Sequence, residues 1–314
     1  MMRSNAVIGT LALLLTLAAC GGGGDQKASS PDNLSGEIKG DGSSTVLPIT
    51  TAVAEEFNRE HHNVRVPVGQ SGTGGGFKRF CAGETDLSNA SRPIKDEEKA
   101  VCAQNGIEYL DLTIAYDGIT VVVNPQNTAV TCLTAAELKK IWNQGSTVKK
   151  WSDVRAGLPA QEIKLYGPGT ASGTFDYFTA AINGTEDVSR NDYTASEDDN
   201  VLVQGVAGDQ YALGYFGYAY YAENKARLKE VGVDNGNGCV VPTPETIKSG
   251  QYQPLSRPLM IYINKKALAR PEVVAFLKFY NEKASELVPQ VGYVPLDAAR
   301  YQENLGKIGS PAAQ

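Results

Sequence analysis

The sequence predicts an α/β protein in which mainly parallel sheets are flanked by helices. Short β-prone segments alternate with amphipathic helical segments, and glycine- and hydroxyl-rich loops join several strands to the helices that follow them. Such alternation is typical of sheets whose crossover connections place helices on both faces. The chain has 314 residues. That length suits one large domain or two medium ones.

In the first half of the chain, a strand that begins at 37–39 and ends at 40–42 leads into a helix with Pro48 in its first turn, where proline is tolerated. A second strand, at 64–68, ends in a glycine-rich turn at 72–76, and a short helix follows this turn. A third strand is predicted at 87–90. The apolar stripe of the first helix has helical spacing and consists of Val46, Ile49, Val53 and Phe57.

The second half continues the alternation. Thr134 with Glu137 three residues later forms a capping box that opens a helix over 134–142, and Ser172 caps another helix. A long helix is predicted over 271–286. Strands are predicted at 119–124, 163–166, 213–221 and 259–263.

The N-terminus has the pattern of an export signal. Arg3 precedes an apolar run that is too short to span a bilayer, and small residues before Cys20 are typical of a bacterial lipobox. We therefore predict a signal peptide over 1–19 and lipidation of Cys20. The segment 20–35 is rich in glycine and polar residues, which predicts a flexible leash between membrane and domain.

The charge balance excludes one class of partner, and the cysteine content predicts disulfides. The chain has 29 basic and 35 acidic residues, and removal of the signal segment leaves a net charge of −7. This balance argues against nucleic acid as a partner. Four further cysteines in an exported chain predict two disulfides, with three connectivities open. Cys81 and Cys102 are nearest in sequence, so we favour this pair, which leaves Cys132 with Cys239. No zinc spacing or cofactor motif is present, so neither metal nor cofactor is predicted.

Three loops share one design, in which a strand passes through small or hydroxyl residues into a helix N-terminus. Helix N-termini present unpaired N–H groups and a partial positive charge, so such loops suit a small oxyanion. None of them matches a nucleotide-binding motif. The loops are Gly42-Ser43-Ser44-Thr45, Ser71-Gly72-Thr73-Gly74-Gly75-Gly76 and Ala171-Ser172-Gly173-Thr174.

Arg92 is a fourth candidate, because it follows Ser91 directly after a strand, where ligands of α/β sheets usually bind. A guanidinium can bind two phosphate oxygens at once. We expect Arg92 to be the arginine of the site.

Six strings of the chain resemble the PstS-type phosphate-binding proteins of bacterial ABC importers. They are Asp41-Gly-Ser-Ser-Thr-Val-Leu-Pro48, Ser71-Gly-Thr-Gly-Gly-Gly-Phe77, Ala90-Ser-Arg-Pro-Ile94, Ser172-Gly-Thr-Phe-Asp176, Ser196-Glu-Asp-Asp-Asn200 and Pro254-Leu-Ser-Arg-Pro258. The resemblance implies a two-lobed, hinged periplasmic-binding fold of type II that closes over phosphate. It also implies that the protein is exported, lipid-anchored and monomeric, works with permease subunits, and is not an enzyme.

Carried over by position, the resemblance implies a set of phosphate-binding residues and leaves open whether Ser71 or Thr73 contacts the ligand. The set is Ser44, Thr45, Ser71, Thr73, Ser91, Arg92, Ser172, Gly173, Thr174 and Asp176. The lobes are expected at 36–115 plus 260–314 and at 116–259, with the hinge near Tyr116-Asp117 and Arg257-Pro258.

Two departures from the family pattern concern charged residues. Pro168 stands where some members have an arginine, and no aspartate stands near Ser91, where some members have the carboxylate that accepts the ligand proton. We expect Arg92 to replace the missing arginine. The acceptor carboxylate stays open between Asp176, Asp117 and the acidic run 197–199.

The sequence pattern has two alternative functional interpretations. A secreted phosphatase is disfavoured, because the only histidines are His61 and His62 at a helix end and no G-x-S-x-G motif occurs. A binding protein for sulfate or arsenate is the other alternative. A carboxylate in the site would repel sulfate, which carries no proton at neutral pH, but would not exclude arsenate.

Overall fold

The computed structural model describes residues 34–309 of the chain. The predicted signal peptide (1–19), Cys20 and most of the predicted leash (20–35) lie outside the described residues. Between residues 34 and 309, no helix is both long and apolar enough to cross a membrane.

Strands and helices alternate through most of the described chain, as the sequence predicted. The strands are β1 Gly36–Glu37, β2 Gly40–Gly42, β3 Val64–Arg65, β4 Leu87–Ala90, β5 Tyr109–Val123, β6 Cys132–Thr134, β7 Lys164–Pro168, β8 Thr194–Ser196, β9 Ala212–Gly217, β10 Lys229–Glu230, β11 Gly232–Asp234, β12 Cys239–Val240, β13 Ser256–Asn264 and β14 Val294–Pro295. The helices are α1 Leu47–Glu60, α2 Gly72–Cys81, α3 Asp96–Gln104, α4 Ala135–Trp142, α5 Trp151–Val154, α6 Gly173–Phe178, α7 Asp199–Gly208, α8 Tyr218–Glu223, α9 Pro244–Lys248, α10 Pro271–Gln290 and α11 Ala298–Gly309. A π-helical turn, Thr179–Asn183, extends α6, and a 3-10 helix, Lys265–Ala269, precedes α10.

The main sheet of the described chain runs in the order β2-β4-β13-β5-β9-β7-β8. Its two ends are parallel, as crossover connections require, since β2 pairs with β4, and β7 with β8 and β9, in parallel. Its centre is antiparallel, because β5 pairs antiparallel with both β13 and β9. The expectation of mainly parallel sheets therefore fails at the centre. There the chain leaves one half of the molecule along β5 and returns along β13.

β5 belongs to both halves of the sheet. From Tyr109 to Gly118 it pairs with β13, and from Ile119 to Val123 it pairs with β9. The hydrophobic core divides at the same place. One cluster, the core of lobe two, is built from buried residues between Ile119 and Leu255 together with Val294. The other, the core of lobe one, is built from buried residues up to Ala115 and from Leu259 onward. Two cores joined by continuous strands give two lobes.

Two disulfides join the cysteine pairs that the sequence favoured. Cys81–Cys102 links the end of α2 to α3 and is buried in a small core with Phe77 and Phe80. Cys132–Cys239 links β6 to β12 at the edge of a three-stranded sheet in the other lobe. Each disulfide therefore stabilises one lobe and does not cross between them.

Candidate anion-binding cleft

A cavity of about 850 Å³ lies between the two lobes. Lobe one contributes the first and second predicted loops, and lobe two contributes the first turns of α6. The crossing segment before and within β13 forms the floor. The lining residues are Ser43, Ser44, Thr45, Ser71, Gly72, Thr73, Gly74, Ser91, Arg92, Pro93, Lys95, Asp176, Tyr177, Ala180, Glu186, Gln253, Pro254, Ser256, Arg257 and Pro258.

The first loop leads into α1, and Thr45 is buried beneath the cavity. The N–H of Ser43 donates to the carbonyl of Asn89, which fixes the loop to the end of β4. Ser44 reaches across the cleft, where its hydroxyl donates to Asp176 Oδ2 at 3.4 Å. The N-cap residue of α1 is Val46, and no described side chain caps this helix end. The backbone itself closes this first turn, because the N–H of Leu47 donates to the carbonyl of Ser43, the N–H of Ile49 donates to the carbonyl of Val46, and Pro48 has no N–H.

The second loop is held from below by Asp41. The Ser71 hydroxyl donates to Asp41 Oδ1 at 2.7 Å, and Arg79 forms an ion pair with the same carboxylate. Burial opposes ionisation of Asp41, but hydrogen bonds from Ser71, Gly42 and Arg79 together lower its pKa below the ordinary value. The hydroxyl proton of Ser71 is thus engaged by the fold.

Thr73 and Ser91 meet at the wall of the same cavity. Their hydroxyl oxygens lie 3.1 Å apart, and the N–H of Ser91 donates to Thr73 Oγ1 at 3.2 Å. The sequence left open whether Ser71 or Thr73 contacts the ligand. Among the described residues, the Ser71 hydroxyl is bonded to a carboxylate and the Thr73 hydroxyl is not.

The third loop contacts the other lobe. Ser172 caps α6 by accepting a hydrogen bond from the N–H of Thr174 at 3.2 Å. A Cβ placed on Gly173 would lie 2.8 Å from Thr45 Oγ1, so the backbones of the first and third loops touch only because this residue is glycine. Ser172, Gly173 and Thr174 line a second cavity of about 450 Å³ on the other side of Ser44.

Arg257 joins the two lobes at this contact. Its Nη2 donates to Thr45 Oγ1 at 2.9 Å and to the carbonyl of Gly173 at 3.5 Å, while Nε donates to Asp117 Oδ2 at 3.2 Å. Its guanidinium carbon lies 3.7 Å from the centre of the Tyr177 ring, which is close enough for a cation–π interaction. Sequence reasoning placed Arg257 at the hinge and did not include it in the site. Its position in a motif shared with the resembling family was the signal.

Arg92 also lines the cavity, but a carboxylate holds it. Nη1 and Nη2 donate to the two carboxylate oxygens of Glu98 at 2.9 and 2.8 Å, and the guanidinium lies beside the Phe77 ring. Burial opposes ionisation of Glu98, yet the hydrogen bonds from Arg92 lower its pKa. The charge of Arg92 is therefore largely balanced before any ligand binds.

The three carboxylate candidates lie in different surroundings. Asp176 lines the main cavity, and burial together with the charges of Asp187 and Glu186 raises its pKa to about 6. Asp117 is 1% exposed and paired with Arg257. Asp199 lines the second cavity, where burial and the neighbouring acidic residues raise its pKa to about 7.

Two lobes joined by continuous strands, with polar loops facing a cleft between them, define a periplasmic-type solute-binding protein. A family model of the PBP superfamily domain matches residues 27–283. The crystal structure of a possible phosphate binding protein from Planctomyces limnophilus is similar, with a TM-score of 0.85 and 52% identity over 88% of this chain and all of that one. An ABC-type phosphate transport receptor from Vibrio cholerae has a TM-score of 0.63 and 26% identity over 82% of this chain and all of that one.

Two curated relatives identify the family within this superfamily. The chain is 48% identical to protein SphX of Synechocystis sp. over 97% of its own length and 88% of that protein. It is 42% identical to the phosphate-binding protein PstS of Staphylococcus saprophyticus over 98% of its own length and 95% of that protein. The chain therefore belongs to the PBP superfamily and, within it, to the family of the PstS and SphX proteins.

Proposed function

We propose that this chain is a substrate-binding protein that captures inorganic phosphate between its lobes and delivers it to an ABC importer. Its relatives include phosphate-binding proteins and a phosphate transport receptor, so the chain acts by binding and not by catalysis. The observation that carries the proposal is the position of Arg257, whose guanidinium lies where the first loop of one lobe meets the third loop of the other.

In this proposal, phosphate binds where the first and third loops meet. Arg257 supplies the positive charge, and the residues that the sequence predicted in these loops supply hydroxyls and amides. They are Ser44, Thr45, Ser172, Gly173 and Thr174. Thr73, Ser91 and Arg92 lie along the same cavity wall, and Ser71 supports this wall through Asp41. Arg257 ranks above Arg92, because Glu98 already occupies both Nη atoms of Arg92.

Asp176 supplies the carboxylate that distinguishes phosphate from sulfate. It lines the cavity and its pKa is raised to about 6, so it is mostly ionised at neutral pH. An ionised carboxylate accepts a hydrogen bond from the O–H of HPO₄²⁻ but repels sulfate, which has no O–H to donate. Arsenate has the same protonation as phosphate, so this argument does not separate these two ions.

Closure is proposed to rotate the lobes about the two crossings. The sequence placed lobe one at 36–115 plus 260–314 and lobe two at 116–259. The change of strand partner after Gly118 and the start of β13 at Ser256 support crossings within three residues of those boundaries. Because the binding groups are divided between lobes, ligand binding favours the closed arrangement.

We further propose that the mature protein begins at Cys20, is lipidated there and is tethered outside the cytoplasm by the segment 20–35. The lipobox-like sequence and the membership in an importer-associated family support this. Replacement of Cys20 by alanine should move the protein from the membrane fraction to the soluble fraction. An unchanged membrane fraction would contradict lipidation at this residue.

The function is tested by calorimetry of the mature domain, stripped of ligand by unfolding and refolding. We expect one phosphate ion to bind per chain, tightly, and sulfate to bind far more weakly at neutral pH. Equal affinities for phosphate and sulfate would contradict the proposed role of Asp176 in selectivity. Failure of the refolded protein to bind phosphate would refute the proposed function.

A further inference from the structure

A separate cavity of about 400 Å³, which we call the hinge cavity, shares no lining residue with the main cavity or the second cavity. Tyr116 lines it and packs against the hydrophobic cores of both lobes, which places this cavity at the hinge. Tyr116 precedes Asp117 on β5, and Asp117 bonds to Arg257 in the main cavity. Because successive side chains of a strand point to opposite faces, the hinge cavity lies on the face of β5 away from the cleft.

The two walls of the hinge cavity are fixed to different parts of β5. α9 of lobe two forms one wall, and it packs so closely that a Cβ placed on Gly118 would lie 2.5 Å from Ile247 Cδ1. The start of α11 in lobe one forms the other wall, and the Tyr301 hydroxyl on this helix donates to the carbonyl of Ile114 at 3.0 Å. Gly118 and Ile114 lie on opposite sides of the proposed crossing at residues 116–117. A rotation of the lobes about this crossing therefore moves α9 relative to α11.

An ion pair spans these two walls. Lys248 Nζ at the end of α9 lies 2.6 Å from Asp297 Oδ1 just before α11. Among the residues between 34 and 309, every other described ion pair joins side chains of the same proposed lobe. The lobes touch in the same arrangement, since Arg257 bonds to both Thr45 and Gly173. The interlobe ion pair is therefore compatible with a closed cleft.

We propose that the Lys248–Asp297 pair controls phosphate affinity from outside the cleft, because it forms when the lobes close and is lost when they open. This inference rests on the proposed function, since closure over phosphate is the state that the pair stabilises. An interaction present in only one of two conformations shifts the equilibrium between them by its own free energy. Glu245 on α9 and Arg300 on α11 also line the hinge cavity, and their opposite charges favour the same approach of the two helices.

The test measures phosphate binding to the refolded mature domain by calorimetry and by stopped-flow kinetics. The Lys248 side chain is 23% exposed and that of Asp297 is 72% exposed, so Lys248→Gln and Asp297→Asn should each weaken binding by about two- to fivefold at low salt. Asparagine caps helices as well as aspartate does, so Asp297→Asn preserves the start of α11. Because the pair forms only after closure, its loss should speed phosphate release and leave the association rate unchanged. High salt should reduce the difference from the wild type.

Two further variants serve as comparisons. Lys307→Gln is the matched control, because Lys307 lies on α11 but pairs with Glu303 of the same helix and is absent from the hinge cavity. It should change neither the affinity nor the release rate. The double variant Lys248→Gln/Asp297→Asn should lose no more affinity than either single variant, since each single change already breaks the pair.

Failure of this inference is distinguishable from failure of the proposed function. If the wild-type domain does not bind phosphate, the proposed function itself fails. If it binds phosphate but Lys248→Gln changes the affinity by less than about 1.5-fold, the proposed function stands and the role of the ion pair is refuted. The same conclusion follows if the two single losses multiply in the double variant, or if the loss lies in the association rate.

Discussion

Replacement of Arg257 by glutamine should remove most of the phosphate affinity. Arg257 is 17% exposed and bridges Thr45, Gly173 and Asp117, so its contact with a bound anion is charge-assisted and shielded from water. Truncating one partner of such a buried pair costs about 2–5 kcal/mol, which is roughly 30-fold to several thousand-fold in affinity. Calorimetry on refolded, ligand-stripped protein measures this loss directly.

Stability must be measured alongside affinity. Arg257→Gln leaves Asp117 buried without its cation, and an uncompensated buried charge is destabilising by about 3–5 kcal/mol. The double variant Arg257→Gln/Asp117→Asn removes both charges and should regain stability in denaturant titrations without regaining phosphate affinity. Arg59→Gln is the control, since Arg59 is exposed on α1 and pairs only with Glu56 among the described residues.

Arg92 is the alternative to Arg257 as the main phosphate-binding arginine. If Arg92 were the main arginine of the site, as the sequence predicted, Arg92→Ala would weaken phosphate binding by roughly a hundredfold or more. Because both Nη atoms of Arg92 already donate to Glu98, we expect a smaller loss of phosphate affinity for Arg92→Ala. A change of less than threefold for Arg257→Gln, together with a hundredfold loss for Arg92→Ala, would refute the assignment of Arg257 as the main arginine.

Three further predictions test closure, selectivity and the disulfides. Gly173→Ala places a methyl group 2.8 Å from Thr45 Oγ1, so it should weaken phosphate binding by about tenfold or more. Gly208→Ala is the matched control, because a methyl group there meets nothing within 4 Å and Gly208 does not line the cavity. Asp176 is ionised above its pKa of about 6 and neutral below it, so selectivity for phosphate over sulfate should rise as the pH increases through 6. Asp176→Asn should show low selectivity at every pH, and a wild-type selectivity that does not change between pH 5 and pH 8 would contradict the role of this carboxyl. Replacing both cysteines of either disulfide by serine should cost about 2–5 kcal/mol in denaturant titrations, with the larger loss for Cys132–Cys239, whose sequence separation of 107 exceeds the 21 of Cys81–Cys102. Free thiols at these positions in the unreduced mature protein would contradict the paired state.

The sequence by itself determined the features that depend on neighbouring residues. The capping box at Thr134 and Glu137 opens α4 as predicted, because both partners lie within one helical turn. The three loops precede α1, α2 and α6 as predicted, and in the third loop Ser172 caps α6 locally. The two lobes followed from motifs whose order along the chain matches a known family.

The tertiary structure decided what depends on distant partners. Asp41 engages Ser71 from 30 residues away, which separates a supporting hydroxyl from the neighbouring Thr73. β5 runs through both lobes because its two halves find different partners, β13 and β9, and neither pairing is visible in the local pattern of residues 109–123. Strand pairing of this kind is set by non-local contacts rather than by propensity.

The choice of arginine shows the difference most clearly. Arg92 follows a strand and precedes a helix, so local pattern favoured it, yet Glu98 six residues later takes both of its Nη donors. Arg257 looked like a hinge residue in sequence, but it lies 140 residues from Asp117 and 212 from Thr45, the two side chains that fix it at the contact between lobes. A side chain's charge is fixed by its identity, whereas its availability to a ligand depends on which distant groups the folded chain places around it.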